Sequence, residues 1–292
     1  MKRKNVPTGK IVLYIILIAI SIIWIIPILF IFSLSITTNT SLQEVGYSLI
    51  PRSITFDAYK YIVKNPDQIA DSYKVSILVT LIGTIAGLLI TTGLAYAMSR
   101  KDFLMSKGIN RFMTFALLFH GGLIPTYIVV TQWLHLGNTI YVLILLLLVS
   151  PWNVFLMRSF LAGIPSELRE AASIDGANEF QIYFRIILPL AKPGLTTIGI
   201  LIMFTYWNDW YTGMLYIDDM KLVPLQLLLY KVISNIQFIL QNAQYMTSAM
   251  TDFPTIGARM ATCVLSIAPM LIIFPFFEKY LAKGITIGSV KG

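Results

Sequence analysis

The chain has 292 residues, 57% apolar and only 12% charged, with a mean hydropathy of +0.75; soluble domains carry about a quarter charged residues, so this composition points to a helical membrane domain. The net charge of +8 does not indicate nucleic acid, because the Lys and Arg residues lie between apolar runs and form no patch interleaved with stacking aromatics. Cys263 is the only cysteine, which excludes a disulfide within the chain and a cysteine-built zinc site.

In chain order, Met1-Lys2-Arg3-Lys4 precedes an apolar run that is too long for a secretory signal and lacks a small-residue cleavage site, so it reads as a retained first span. Windows of about 19 residues place six spans near residues 11–35, 75–98, 111–133, 138–158, 195–216 and 259–278. The second carries Gly83 and Gly87 four apart, a pair that lets helices approach closely. His120 and Pro125 interrupt the third, where neighbouring groups must satisfy the freed backbone. Pro51, Pro66, Pro224 and Pro254 punctuate the long connections 35–74 and 217–258, and residues 134–137 read as a tight turn. Within the second long connection, Leu222 to Leu240 alternates apolar residues with Gln226, Lys231, Ser234, Asn235 and Gln237. That pattern suits either an interfacial helix or one packed over the bundle. The expected organisation is an N-terminal tail over 1–10, a six-helix domain over 11–278 with an informative loop at 159–194, and a C-terminal tail over 279–292.

An even number of spans puts both termini on one side, and cytoplasmic segments retain Lys and Arg during insertion. The side of the termini holds fifteen: Lys2, Arg3, Lys4 and Lys10; Arg100, Lys101, Lys107 and Arg111; Arg158, Arg169, Arg185 and Lys192; and Lys279, Lys283 and Lys291. The other side holds six, Arg52, Lys60, Lys64, Lys221, Lys231 and Arg259, with Lys74 at a boundary. Both termini and the loop 159–194 are therefore expected in the cytoplasm.

That loop is too structured in sequence for a passive connector. Pro165 delimits a short helix, Ser166 is placed to cap its first amides, and Glu167 and Glu170 favour its positive end. Gly176, free to take positive φ, supplies the stop. A second helix from about Asn178 is expected to end at Pro189, which lacks an amide proton and whose ring clashes with the preceding turn. The reading is helix, glycine elbow, helix.

The spacing Glu170-Ala171-Ala172, three residues, Gly176, nine residues, Ile186, one residue, Leu188-Pro189 resembles the EAA signature of ABC importer permeases at every defining position. The resemblance extends over nearly the whole chain to the MalG-like carbohydrate permeases, including Phe204 to Trp210 and the C-terminal Lys283 to Gly292. It is closest to the LplC/YtcP-like branch, associated with complex oligosaccharides or polysaccharides. It implies an all-α membrane protein with the type I ABC importer permease fold. It also implies that Glu170, Ala171, Ala172, Asp175, Gly176, Ile186, Leu188 and Pro189 couple to a separate cytoplasmic ATPase, with Glu170 pairing to a basic residue there. The implied assembly is two permease subunits, usually non-identical, on a pair of ATP-binding subunits in a bacterial inner membrane, with an extracellular solute-binding protein. The chain has no Gly-x-x-x-x-Gly-Lys-Ser/Thr loop to cradle phosphates, so ATP and Mg belong to the partner and this chain binds no cofactor and catalyses no reaction.

Substrate-path candidates are Trp207, Asn208, Asp209, Trp210 and Tyr211. An intramembrane carboxylate is expensive enough to suggest function, and aromatic faces beside hydrogen-bonding groups suit a sugar ring. Trp and Tyr also collect at membrane interfaces for structural reasons. An ion-coupled secondary transporter would show paired intramembrane charges and usually a repeat of spans, and neither is evident. An intramembrane enzyme would need a nucleophile with its base or a metal-ligand set, which His120, His135 and Cys263 do not provide. An ABC importer for polyamines, phosphonates or amino acids stands as the alternative within the class.

Overall fold

The computed structural model describes residues 8–44, 46–64, 66–100, 102–241 and 255–289. Lys2, Arg3, Lys4, Lys101, Pro254 and residues 290–292, all used above, lie outside them. Among the described residues the chain is helical, with a single isolated β-bridge between Thr37 and Ile54. It forms two compact units, residues 1–66 with 229–269, and residues 67–228 with 270–292.

In the first unit, α1 (Thr8–Ser35) is apolar on all sides and exposed over most of its length, with only Ser33, Leu34 and Ser35 at its end buried. A helix apolar all round belongs in a core or a membrane, and among the described residues most of this one is not packed in a core. The loop that follows folds into α2 (Asn39–Glu44) and α3 (Asp57–Ile62). It is tied back by the Thr55 amide, which donates to the Ile36 carbonyl at 2.8 Å, and by the Ser35 and Tyr59 hydroxyls, 2.8 Å apart. α15 (Thr255–Ser289) starts in this unit, where Gly257 lies against Ala58. Its helical backbone runs well past the expected end at residue 278, so most of the expected C-terminal tail is helix.

The second unit holds the main core. α4 (Pro66–Ser99) begins well before residue 75, because Pro66 is pre-organised for a first helical position. Gly83 and Gly87 admit neighbours: a Cβ on Gly83 would lie 2.3 Å from the Tyr206 ring, and one on Gly87 would sit 3.1 Å from the Leu148 carbonyl. Tyr206, on α12 (Lys192–Trp207), donates its hydroxyl proton to the Ile144 carbonyl at 2.6 Å. α14 (Leu225–Gln241) starts with Leu225 and Leu227 buried and its Leu225 amide donating to Ser76 Oγ at 2.7 Å. Its start is thus packed on the bundle, the second of the two sequence readings.

Among the described residues three helices are long and apolar enough to cross a membrane, and the number rises to five if each of two bent pairs is one span. Three of the six spans expected from hydropathy contain a break in the helix. The third is broken into α5 (Ser106–Leu118) and α6 (Leu123–Ile128, continued by a π turn to Trp133), meeting at 115°. Gly122 there has φ +91° and Pro125 follows, a combination no continuous helix accepts. The fourth is split into α7 (Ile140–Leu145) and α8 (Pro151–Leu161). Pro151 has no amide proton and its ring would strike the carbonyl four residues back, so Ser150 turns extended and α8 begins anew. The fifth stops at Trp207 and resumes as α13 (Tyr211–Tyr216). Window averaging sees apolarity through all three breaks because it carries no information on backbone hydrogen bonding.

Candidate functional site

The loop 159–194 belongs to the second unit and is built from α9 (Ser166–Ile174), α10 (Glu179–Ile182), a π turn over Tyr183–Ile187 and α11 (Leu188–Leu190). Pro165 occupies the N-cap and makes no side-chain cap, and Ser166 is the first helical residue. The expected serine cap is thereby corrected; the proline fixes the entry angle instead.

α9 ends in a Schellman motif. The Gly176 amide donates to Ser173 O at 3.1 Å, the Ala177 amide to Ala172 O at 3.0 Å, and Gly176 sits at φ +81°. Positive φ is disfavoured for any residue with a Cβ, and this is why glycine stands there. Two residues on, Asn178 and Gln181 close a reciprocal capping box at 2.9 Å each way and start α10.

Pro189 does not end the second arm, contrary to the sequence expectation. The Leu188 amide reaches five residues back to Tyr183 O, and this widened turn makes room for the proline ring. The break comes at Ala191, ahead of Pro193, where Glu179–Leu190 meets α12 at 82°.

The motif residues divide between two faces. Ala172, Ile182 and Ile187 are buried in the core. Glu170, Ala171, Asp175, Gly176 and Pro189 are exposed, with Ile186 and Leu188 between. Ala172 is thus a packing residue, and of the alanine pair only Ala171 is open to a partner. On the outer side, Ile174 is 87% and Phe180 77% exposed, one on each arm beside the elbow.

A charged network unseen in the sequence joins this loop to the end of α4. Arg100 pairs with Asp102 at 2.5 Å and with Glu179, while Arg169 Nη1 reaches the other Asp102 oxygen at 2.9 Å. Tyr96 donates its hydroxyl proton to Glu179 at 3.1 Å. The Arg100 hydrogen bond, joined by Arg169, holds the Asp102 carboxyl below the usual carboxylate range, and the same pairing pushes the Arg100 guanidinium further up. A cleft of about 550 Å³ beside the network is lined by Asp102, Ser166, Arg169 and Glu170. The sequence carried signals for part of this: Asn178-x-x-Gln181 has capping-box spacing, and Ile174 and Phe180 are large apolar residues in a loop outside the spans. Nothing in it pairs residue 100 with 179.

The substrate-path candidates divide between buried and exposed positions. Trp207 is 4% exposed. Asn208 is exposed and donates from Nδ2 to Phe204 O at 2.9 Å. Asp209 Oδ1 accepts from the Thr212 amide at 3.1 Å, and the rings of Trp210 and Tyr211 meet edge-on at 5.8 Å. His120 lies in the α5–α6 break, where its Nδ1 accepts from the Gly122 amide at 3.2 Å.

Comparison with known proteins bears directly on this arrangement. Residues 8–287 match the family model described as binding-protein-dependent transport system inner membrane component. The chain is 36% identical over 270 residues to the protein LplC of Bacillus subtilis (strain 168), covering 92% of this chain and 90% of that protein. It is 34% identical to the polygalacturonan/rhamnogalacturonan transport system permease protein YtcP of the same organism, over 94% and 96% of the two chains. It is 31% identical over the full length of both chains to the arabinooligosaccharides transport system permease protein AraQ of Halalkalibacterium halodurans. A solved structure of a bacterial ABC transporter involved in the import of the acidic polysaccharide alginate contains a chain that aligns with TM-score 0.79 and 26% identity, over 96% of this chain and 99% of that one. With its spans, its EAA spacing and these likenesses, the chain belongs to the family of binding-protein-dependent transport system inner membrane components, the permease subunits of ABC importers.

Proposed function

We propose that this chain is one of two permease subunits of an ATP-driven importer of oligosaccharides or polysaccharides, and that the hairpin α9–Gly176–α10 is where a separate ATPase docks. The observation that carries the docking role is the exposed outer face of the hairpin. Glu170 offers a charge to a basic partner there, and Ile174 and Phe180 hold apolar area on a short polar loop outside the long spans. Exposed apolar patches rimmed by polar residues mark interaction surfaces. The Lys and Arg asymmetry supports cytoplasmic termini and a cytoplasmic hairpin in a bacterial inner membrane. The reading keeps six crossings, with α5–α6 and α7–α8 each a broken one.

The carbohydrate class rests on the relatives, which are named for arabinooligosaccharides and for polygalacturonan and rhamnogalacturonan, and on the alginate importer of the same architecture. A second permease, a pair of ATPases holding ATP and Mg, and an extracellular solute-binding protein complete the assembly. In the segment Trp207–Tyr211, Asn208 and Tyr211 offer the exposed sugar-facing groups, while Trp207 and Asp209 hold the turn. Closure of the ATPases moves the two hairpins of the permease pair and shifts the bundle between inward-open and outward-open states.

The test is reconstitution of the full complex in liposomes, comparing substrate-stimulated ATP hydrolysis of the native chain with a Glu170→Ala, Gly176→Pro double variant. Stimulation is expected to disappear while the permease subunits still pair. Undiminished stimulation would remove the hairpin from the coupling path.

A further inference from the structure

The hairpin is joined covalently to α8 and α12, yet its strongest polar contacts run to neither. They run to the end of α4. Arg169, on the first arm, reaches Asp102, and Glu179, on the second arm, is held by Arg100 and Tyr96. Asp102 and Arg100 are themselves paired, so the two arms on either side of Gly176 close on one connector. The Tyr96 ring lies 5.1 Å from the Tyr183 ring, just past the second arm.

Resting on the coupling reading above, we propose that Arg100 and Asp102 are positioning residues that make α4 a third helix driven by the hairpin. The elbow cannot open at Gly176 without breaking one of these ion pairs, and the hairpin cannot move as a body without drawing the end of α4 with it. Arg suits this place because its planar fork serves two carboxylates at once, which a lysine ammonium does not. α4 has 34 residues, about 50 Å at 1.5 Å per residue, and is close-packed at Gly83 against Tyr206 of α12. A displacement applied at Arg100 therefore reaches the middle of the bundle along a rigid rod. Both carboxylates are about half exposed, and such pairs add little to stability. Breaking the network should therefore leave the fold standing and loosen the transmission.

The experiment uses the complete importer in liposomes and measures ATP hydrolysed and substrate accumulated together, for the native chain, Arg100→Gln, Glu179→Gln and the double variant. In Arg100→Gln, stimulated hydrolysis is expected to stay near native while transport per ATP falls by about 3- to 30-fold, the range by which coupling networks are perturbed. The double variant should be no worse than Arg100→Gln alone, as two partners of one interaction behave in a mutant cycle. Unchanged transport per ATP, or losses that add, overturns the proposal. Loss of complex assembly in Arg100→Gln also overturns it, because the residue would then hold the fold. If Arg100→Gln is unaffected while Glu170→Ala, Gly176→Pro abolishes stimulation, this inference alone fails; if the native complex shows no stimulation, the coupling reading falls with it.

Discussion

Replacing Gly176 separates backbone conformation from contact more cleanly than any other change in the hairpin. At φ +81° a Cβ placed on Gly176 meets nothing within 4 Å, so a substitution acts only through the conformation it must hold. Left-handed backbone costs an ordinary residue about 1–2 kcal/mol, less for Asn and more for a β-branched residue. The order Gly, Asn, Ala, Val is therefore the expected order of decreasing elbow stability. The amides of Gly176 and Ala177 report on it, since both bonds of the Schellman motif depend on the turn. Where local opening governs exchange, 1–2 kcal/mol in Gly176→Ala corresponds to roughly 5- to 30-fold faster hydrogen exchange at these two amides. Substrate-stimulated ATP hydrolysis should fall in the same order. If Gly176→Val exchanges no faster than native, or Gly176→Asn is as fast as Gly176→Val, the elbow is not held by positive φ and the argument fails.

Two further outcomes follow from the packing and the charges. Gly83→Leu must displace the Tyr206 ring and break its bond to Ile144 O, costing about 2–4 kcal/mol from overpacking plus the lost hydrogen bond. Gly93→Leu, with nothing within 4 Å of its Cβ, should leave the thermal midpoint in detergent near native. For Asp102, the native carboxyl stays ionised below the pH at which the unfolded one protonates, near 3.9, so the unfolded state binds more protons there. Its contribution is present above that range and is lost as pH falls through and below it. It is limited to about 1 kcal/mol because the carboxylate is half exposed. The midpoint of the native chain should accordingly fall more steeply below pH 5 than that of Asp102→Asn, and parallel profiles would contradict the pairing.

Local signals in the sequence were read correctly where one residue type has one physical meaning. Gly176 stops a helix because only glycine sits comfortably at its φ, and the apolarity of residues 11–35 can be satisfied only by lipid or protein. Pro189 misled because its cost was assigned to the helix end, whereas a π turn over Tyr183–Ile187 absorbs it. Ser166 misled because Pro165 takes the cap position from it. The network of Arg100, Asp102, Arg169 and Glu179 was invisible for a different reason: its two halves, Arg100 with Asp102 and Arg169 with Glu179, are separated by 67 residues at the Arg169–Asp102 pair, and each charge, taken alone, is an ordinary loop charge.

The polar residues inside the apolar runs obey a common rule, and it bears on Asp209. At three of the breaks a side chain captures an amide that the break sets free: His120 takes that of Gly122 at 3.2 Å, Ser150 that of Asn153 at 3.5 Å, and Asp209 that of Thr212 at 3.1 Å. In a membrane such amides have no water to turn to, so a capping oxygen is needed at these positions whatever the transported solute. The cap requires an acceptor oxygen but no charge. Asp209→Asn should therefore match the native chain in both thermal midpoint and transport, while Asp209→Ala should lose about 1 kcal/mol, the usual value of a cap. If Asp209→Asn keeps the native midpoint but loses transport, the carboxylate acts on the solute and the capping account of this residue is insufficient.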